Sequence, residues 1–190
     1  ATTADPGPPA TPATYAPPER AEEQAVARAA EVVAEAERPV ILAGGGVVKG
    51  RASADLRAFA DEYDIPVITT MPAIGAYPED EELSLEWAGM HGTGYANMAI
   101  SMTDCMLALG TRFDDRLTGG VDSFAPDAQI IHVDIDPAEI SKNVDADHAL
   151  IGDVELVLDQ LDSALPRAPD AAAWREQCLE WKAEYPMDYE

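Results

Sequence analysis

Cys105-Met106-Leu107-Ala108-Leu109 is a continuous apolar run that leads straight into Gly110-Thr111-Arg112-Phe113-Asp114-Asp115-Arg116. A short run apolar on both faces reads as a strand buried inside a parallel sheet. Two arginines and two aspartates then stand where that strand ends. Charges at the end of a core strand serve packing poorly, because each must be paired or solvated. In open α/β sheets ligands bind at the carboxyl ends of the strands. Planar guanidinium forks also suit a phosphate-bearing ligand. A surface salt-bridge network is the plainer reading, but the position directly after a buried strand favours the ligand.

The same pattern recurs on either side. A helix is expected over 19–37, with Ala25, Val26, Ala29, Ala30, Val33 and Ala36 on one stripe, stopped by Pro39. Val40–Ala43 is a strand ending in Gly44-Gly45-Gly46. A helix over 53–63 and a strand over 65–69 follow, then a loop with Pro72, Gly75 and Pro78 and an acidic stretch, 79–82. Gly89-Met90-His91-Gly92 precedes a helix over 93–102. Beyond the charged loop come a strand over 129–134, a short helix over 137–142, a brief strand over 149–151 and an amphipathic helix through Val154, Leu158, Leu161 and Leu165. Apolar strands separated by helices imply an α/β fold with a doubly wound parallel sheet. Residues 1–18 read as a Pro-rich linker. Residues 19–166 form the α/β domain. Residues 167–190, with Trp174, Trp181 and Tyr185 in helical spacing, read as a connecting segment that docks elsewhere.

Composition narrows the partners. The chain has 190 residues, 47% hydrophobic, with 36 acids against 12 bases and a formal net charge of −24. Phosphate backbones and anionic membrane surfaces would be repelled, so neither nucleic acid nor membrane is expected as a partner. Three lysines against nine arginines, with acids dispersed throughout, resemble the surfaces of proteins from salt-loving microbes. At molar salt such self-repulsion is screened within about 3 Å. Cys105 and Cys178 lack metal or redox spacing and read as small buried hydrophobes. No signal peptide or transmembrane run is evident, so a cytoplasmic location is expected.

Each remaining constellation has two readings. Gly44-Gly45-Gly46 is either a close backbone approach to a ligand or a plain turn. His91 could contact a ligand or act as a base, with Thr93 as an ordinary helix cap beside it. Asp134 ends a strand, where an acid commonly holds ribose hydroxyls; Asp136 before Pro137 reads as a cap rather than a metal ligand. No nucleophile elbow, zinc spacing or Ser/His/Asp pattern is present.

Gly89-Met90-His91-Gly92, Gly110 through Gly119, and Ile131-His132-Val133-Asp134-Ile135-Asp136-Pro137 with Glu139-Ile140 and Lys142-Asn143 together resemble the central domain of the acetolactate synthase large subunit. That family is thiamine-diphosphate-dependent. The resemblance spans residues 39–165 and implies a six-stranded, Rossmann-like sheet with helices on both faces and FAD across its strand ends. Carried over by position, the implied flavin contacts are Gly44, Gly45, Gly46, Thr70, Met71, Gly89, Met90, His91, Gly110, Arg112, Asp114, Arg116, Asp134, Ile135 and Asp153. Asp115 is expected to support its loop. Met90 and Arg116 are expected to face the active-site channel. The whole enzyme joins pyruvate to a second 2-oxo acid with loss of CO2, feeding branched-chain amino-acid synthesis. Its thiamine diphosphate and Mg2+ sites belong to other domains, so this chain alone is expected to be inactive. The resemblance further implies a homodimer or homotetramer for the full-length enzyme and leaves open whether a regulatory small subunit joins it. Alternatives are an oxalyl-CoA decarboxylase, glyoxylate carboligase or sulfoacetaldehyde acetyltransferase type of enzyme, or a scaffold with a vestigial crevice.

Overall fold

The computed structural model describes residues 18–187; the Pro-rich linker therefore lies outside the described residues apart from Pro18. The elements in chain order are α1 (Glu23–Glu35), β1 (Pro39–Ala43), α2 (Gly45–Lys49), α3 (Ser53–Tyr63), β2 (Val67–Thr69), β3 (Ser84–Trp87), α4 (Gly94–Met102), β4 (Cys105–Leu109), α5 (Asp115–Thr118), β5 (Gln129–Asp134), β6 (His148–Ile151), α6 (Val154–Ala164) and α7 (Ala172–Glu184). Six strands form one sheet in the order β3-β2-β1-β4-β5-β6, and every pair is parallel. The chain builds outward from β1 in one direction, returns to the centre, and builds outward from β4 in the other. That reversal places the doubly wound switch point between β1 and β4.

Strand alternation divides the core in two. Ile41, Ala43, Leu107, Leu109, Ile131 and Val133 face the layer of α1, α3 and α6. Val40, Leu42, Met106, Ala108 and Ile130 face the layer of α4 and α7. β1 and β4 are buried at every position, which is why they read as unbroken apolar runs.

Helix ends follow their side chains. The Glu22 carboxylate accepts the amides of Gln24 and Ala25, starting α1 later than periodicity suggests. Asp153 accepts the Glu155 amide and Thr93 the Ala96 amide, capping α6 and α4.

Several expectations need correction. β3 was unread because Leu85 is its only aliphatic residue, its lead-in is acidic, and it is an edge strand with an irregular register. The helix expected over 137–142 is a set of turns. Asp136 does accept the Ala138 amide, but Ser141 takes φ +55° and breaks the helical path. α2 and α5 are single helical turns too short to show periodicity.

The segment expected to dock elsewhere packs on this sheet. α7 buries Trp174, Cys178 and Trp181. The Trp174 indole N–H donates to the Pro39 carbonyl at 3.1 Å. Arg175 pairs with Asp64 at 2.7 Å, and Lys182 Nζ donates to the Ser84 carbonyl at 2.7 Å. Burial pushes the thiols of Cys105 and Cys178 up to about 12, so both stay protonated. No helix of the described residues is long and apolar enough to cross a membrane.

Candidate functional site: the carboxyl edge of the sheet

Because every strand runs the same way, every predicted site residue falls at one edge of the sheet. Gly44, Gly45 and Gly46 follow β1; Thr70 and Met71 follow β2; Gly89, Met90 and His91 follow β3; Gly110, Arg112, Asp114 and Arg116 follow β4. Asp134 ends β5, Ile135 comes next, and Asp153 follows β6. At about 4.8 Å between neighbouring strands, the edge from β3 to β6 is roughly 24 Å long. That suits an elongated ligand lying across several strand ends.

The two central loops interlock. The Gly46 amide donates to the Gly110 carbonyl at 2.9 Å, and the Gly110 amide to the Val133 carbonyl at 2.8 Å. A Cβ built on Gly110, which has φ +57°, would lie 2.6 Å from the Gly46 Cα. Backbone meets backbone here, so neither side can yield. The β3 and β4 loops meet likewise: the Met90 amide donates to the Arg116 carbonyl at 2.9 Å. Gly89 has φ +108°, and a Cβ there would lie 2.5 Å from the Arg116 carbonyl oxygen.

The charged loop resolves into an inner and an outer side. Phe113 is buried, while Arg112, Asp114, Asp115 and Arg116 are exposed. Arg112 pairs with Asp114 at 2.9 Å, and Arg116 with Asp115 at 3.2 Å. Exposed pairs of this kind contribute about 0–1 kcal/mol to stability, so packing does not explain them. Asp115 also opens α5, where its carbonyl accepts the Gly119 amide. Asp134 is nearly buried; one carboxylate oxygen accepts the Asp136 amide at 2.9 Å. Thr70 is nearly buried too, and its amide donates to the Ala43 carbonyl. His91 is exposed and its carbonyl accepts the Trp87 indole N–H. Asp153 lies on the outermost strand's loop and is occupied in capping α6. Among the described residues no three His, Cys, Asp or Glu side chains are grouped to hold a metal ion.

Large apolar residues are exposed along the same edge: Met71 (59%), Ile74 (46%), Met90 (63%) and Ile135 (44%), all in loops that follow strand ends. Such surface is normally covered.

Sequence reasoning missed the residues that hold the loops. Asn97 on α4 clamps Gly89 twice, accepting its amide at 2.9 Å and donating to its carbonyl at 3.1 Å. Asn143 donates to the Arg112 carbonyl at 2.8 Å. His132 on β5 is fully buried and bonds to the Thr111 carbonyl at 2.8 Å. The available signal was a polar residue inside an otherwise apolar element, as at Asn97 and His132.

A family model described as the thiamine pyrophosphate enzyme central domain matches residues 26–161. This chain belongs to that family. It is 44% identical over 173 residues to the acetolactate synthase large subunit of Parasynechococcus marenigrum, covering 90% of this chain and 28% of that protein. It is 49% identical over 159 residues to a probable acetolactate synthase large subunit of Methanocaldococcus jannaschii, covering 83% and 27%. The acetolactate synthase large subunit of Corynebacterium glutamicum is 43% identical over 169 residues, covering 87% and 27%. The chain thus spans little more than a quarter of these relatives.

Proposed function

We propose that this chain is the middle domain of an acetolactate synthase large subunit and holds FAD along the carboxyl edge of its sheet. The carrying observation is that edge itself: interlocked glycine backbones at Gly46 and Gly110, solvent-facing Arg112 and Asp114, the near-buried Asp134, and exposed Met71, Met90 and Ile135. Each suits one part of a dinucleotide. A free Asp134 oxygen fits ribose hydroxyls. Arg112 supplies charge-assisted donors to phosphate or polar ring edges. The apolar side chains offer faces for flat rings. Gly44, Gly45, Thr70, Gly89, His91, Arg116 and Asp153 complete the assigned surface.

In the whole protein, thiamine diphosphate with Mg2+, bound by other domains, supplies the chemistry for decarboxylating pyruvate and joining it to a second 2-oxo acid. The flavin's duty is structural. This domain's duties are to hold the flavin and to present Met90 and Arg116 to the substrate channel. The working protein is a homodimer or homotetramer, in the cytoplasm of a salt-adapted microbe.

The test is a visible spectrum. The purified full-length enzyme should carry a band near roughly 450 nm from bound flavin. Arg112→Ala should weaken flavin binding by on the order of 1.5–3 kcal/mol. A protein that takes up no flavin, or binds ADP in its place, would overturn the assignment. Pyruvate condensation by residues 1–190 alone would overturn the assignment of the chemistry to other domains.

A further inference from the structure

His132 sits in the middle of β5 with no exposed surface. Its register partners on the flanking strands are Ala108 and Ala149, two methyl-bearing residues that leave room for a ring. An imidazole on an aliphatic sheet face costs desolvation unless its nitrogens are used. Nε2 lies 2.8 Å from the Thr111 carbonyl oxygen. A carbonyl only accepts, so Nε2 carries the proton and Nδ1 keeps a lone pair. Nδ1 has no partner among the described residues.

The ring also meets the loop through Phe113, edge-on at 5.0 Å and 79°. Phe113 in turn meets Phe124 at 5.8 Å. Phe113 takes φ +51°, which for a bulky residue costs about 1–2 kcal/mol. A backbone of that kind persists only where its surroundings over-determine it. Here the ring is locked between His132 and Phe124, while Asn143 holds the carbonyl of the preceding residue. Arg112 and Asp114, on either side of the inward ring, are thereby left facing solvent as a formed pair.

We infer that His132 is a positioning residue for the proposed flavin site, holding the Thr111–Phe113 backbone from beneath so that Arg112 and Asp114 are aimed outward before any ligand arrives. The inference rests on the flavin reading for its functional meaning. It also ties two parts of the site together. His132 and Asp134 are two residues apart and share a face of β5, so one strand carries both the carboxylate assigned to ribose and the support of the arginine loop.

The test uses the full-length enzyme with two substitutions. His132→Phe keeps a ring and removes the donor; His132→Gln restores an N–H donor. In His132→Phe, amide exchange over 111–116 should quicken by about tenfold and the flavin dissociation constant should rise by about tenfold, both beyond what the accompanying fall in melting temperature produces. His132→Gln should bring both back toward wild type. Should His132→Phe fail to fold, Phe113→Leu breaks the same support from the loop side and should show the same two changes. Wild-type exchange and affinity in His132→Phe or in Phe113→Leu would overturn the inference. So would equal losses in His132→Phe and His132→Gln that track a lowered melting temperature. If the wild type takes up no flavin, the flavin reading falls, and exchange over 111–116 alone decides whether His132 holds the loop.

Discussion

Gly110 and Gly46 touch through their backbones, and neither can take a side chain without moving a strand end. Gly110→Ala also forces an alanine into a left-handed backbone. It should destabilise the domain by about 3 kcal/mol or more, read as a lower urea midpoint. His132 makes a pH-dependent contribution. Burial lowers its pKa from 6.5; the Thr111 carbonyl, Asp134 and Glu139 oppose that shift without reversing it. The unfolded chain therefore binds the proton at higher pH than the folded one. Stability held by the neutral ring is fully present above the unfolded value and is lost as pH falls below it. Urea midpoints should fall between about pH 7 and pH 5, and less steeply in His132→Phe. Equal slopes in the two proteins would refute that account.

Among the elements, α7 departs furthest from its reading in the sequence. Its aromatic residues looked like contacts for another domain, yet Trp174 and Trp181 pack edge to face at 5.6 Å over this sheet. Trp174→Ala removes a buried ring and an indole hydrogen bond to Pro39. It should cost about 3–5 kcal/mol, measured by denaturant unfolding. A loss below about 1 kcal/mol would mean that α7 is only loosely held. β3 was missed for the complementary reason: its one aliphatic residue gives no period to read, and its strand character comes from pairing with β2. The strands β1, β4 and β5 were legible because burial on both faces forces a continuous apolar run.

Across the whole molecule, the net charge of −24 works against compaction. Many of its ion pairs are exposed, among them Arg20–Asp159, Arg112–Asp114 and Arg116–Asp115, and they offset little of that repulsion. Salt should therefore stabilise the fold. The melting temperature should climb steadily from about 0.1 M to about 2 M KCl, over which range the screening length drops from about 10 Å to below 3 Å. A flat or falling curve would remove the salt-adaptation reading.

Composition and periodicity by themselves determined the α/β class, the parallel sheet, and the placing of glycines and charges after strands. These follow from local rules: a strand buried on both faces must be apolar, and a left-handed turn or close backbone approach at a strand end, as at Gly110, favours glycine. They also made clear that Arg112 through Arg116 required an explanation beyond packing. Only the tertiary structure decided how that loop is held. Gly46 and Gly110 are 64 residues apart, Asn143 reaches Arg112 from the next crossover, and His132 supports Thr111 from a neighbouring strand. No local pattern encodes such pairs, because they exist only once the sheet has brought distant segments within hydrogen-bonding distance.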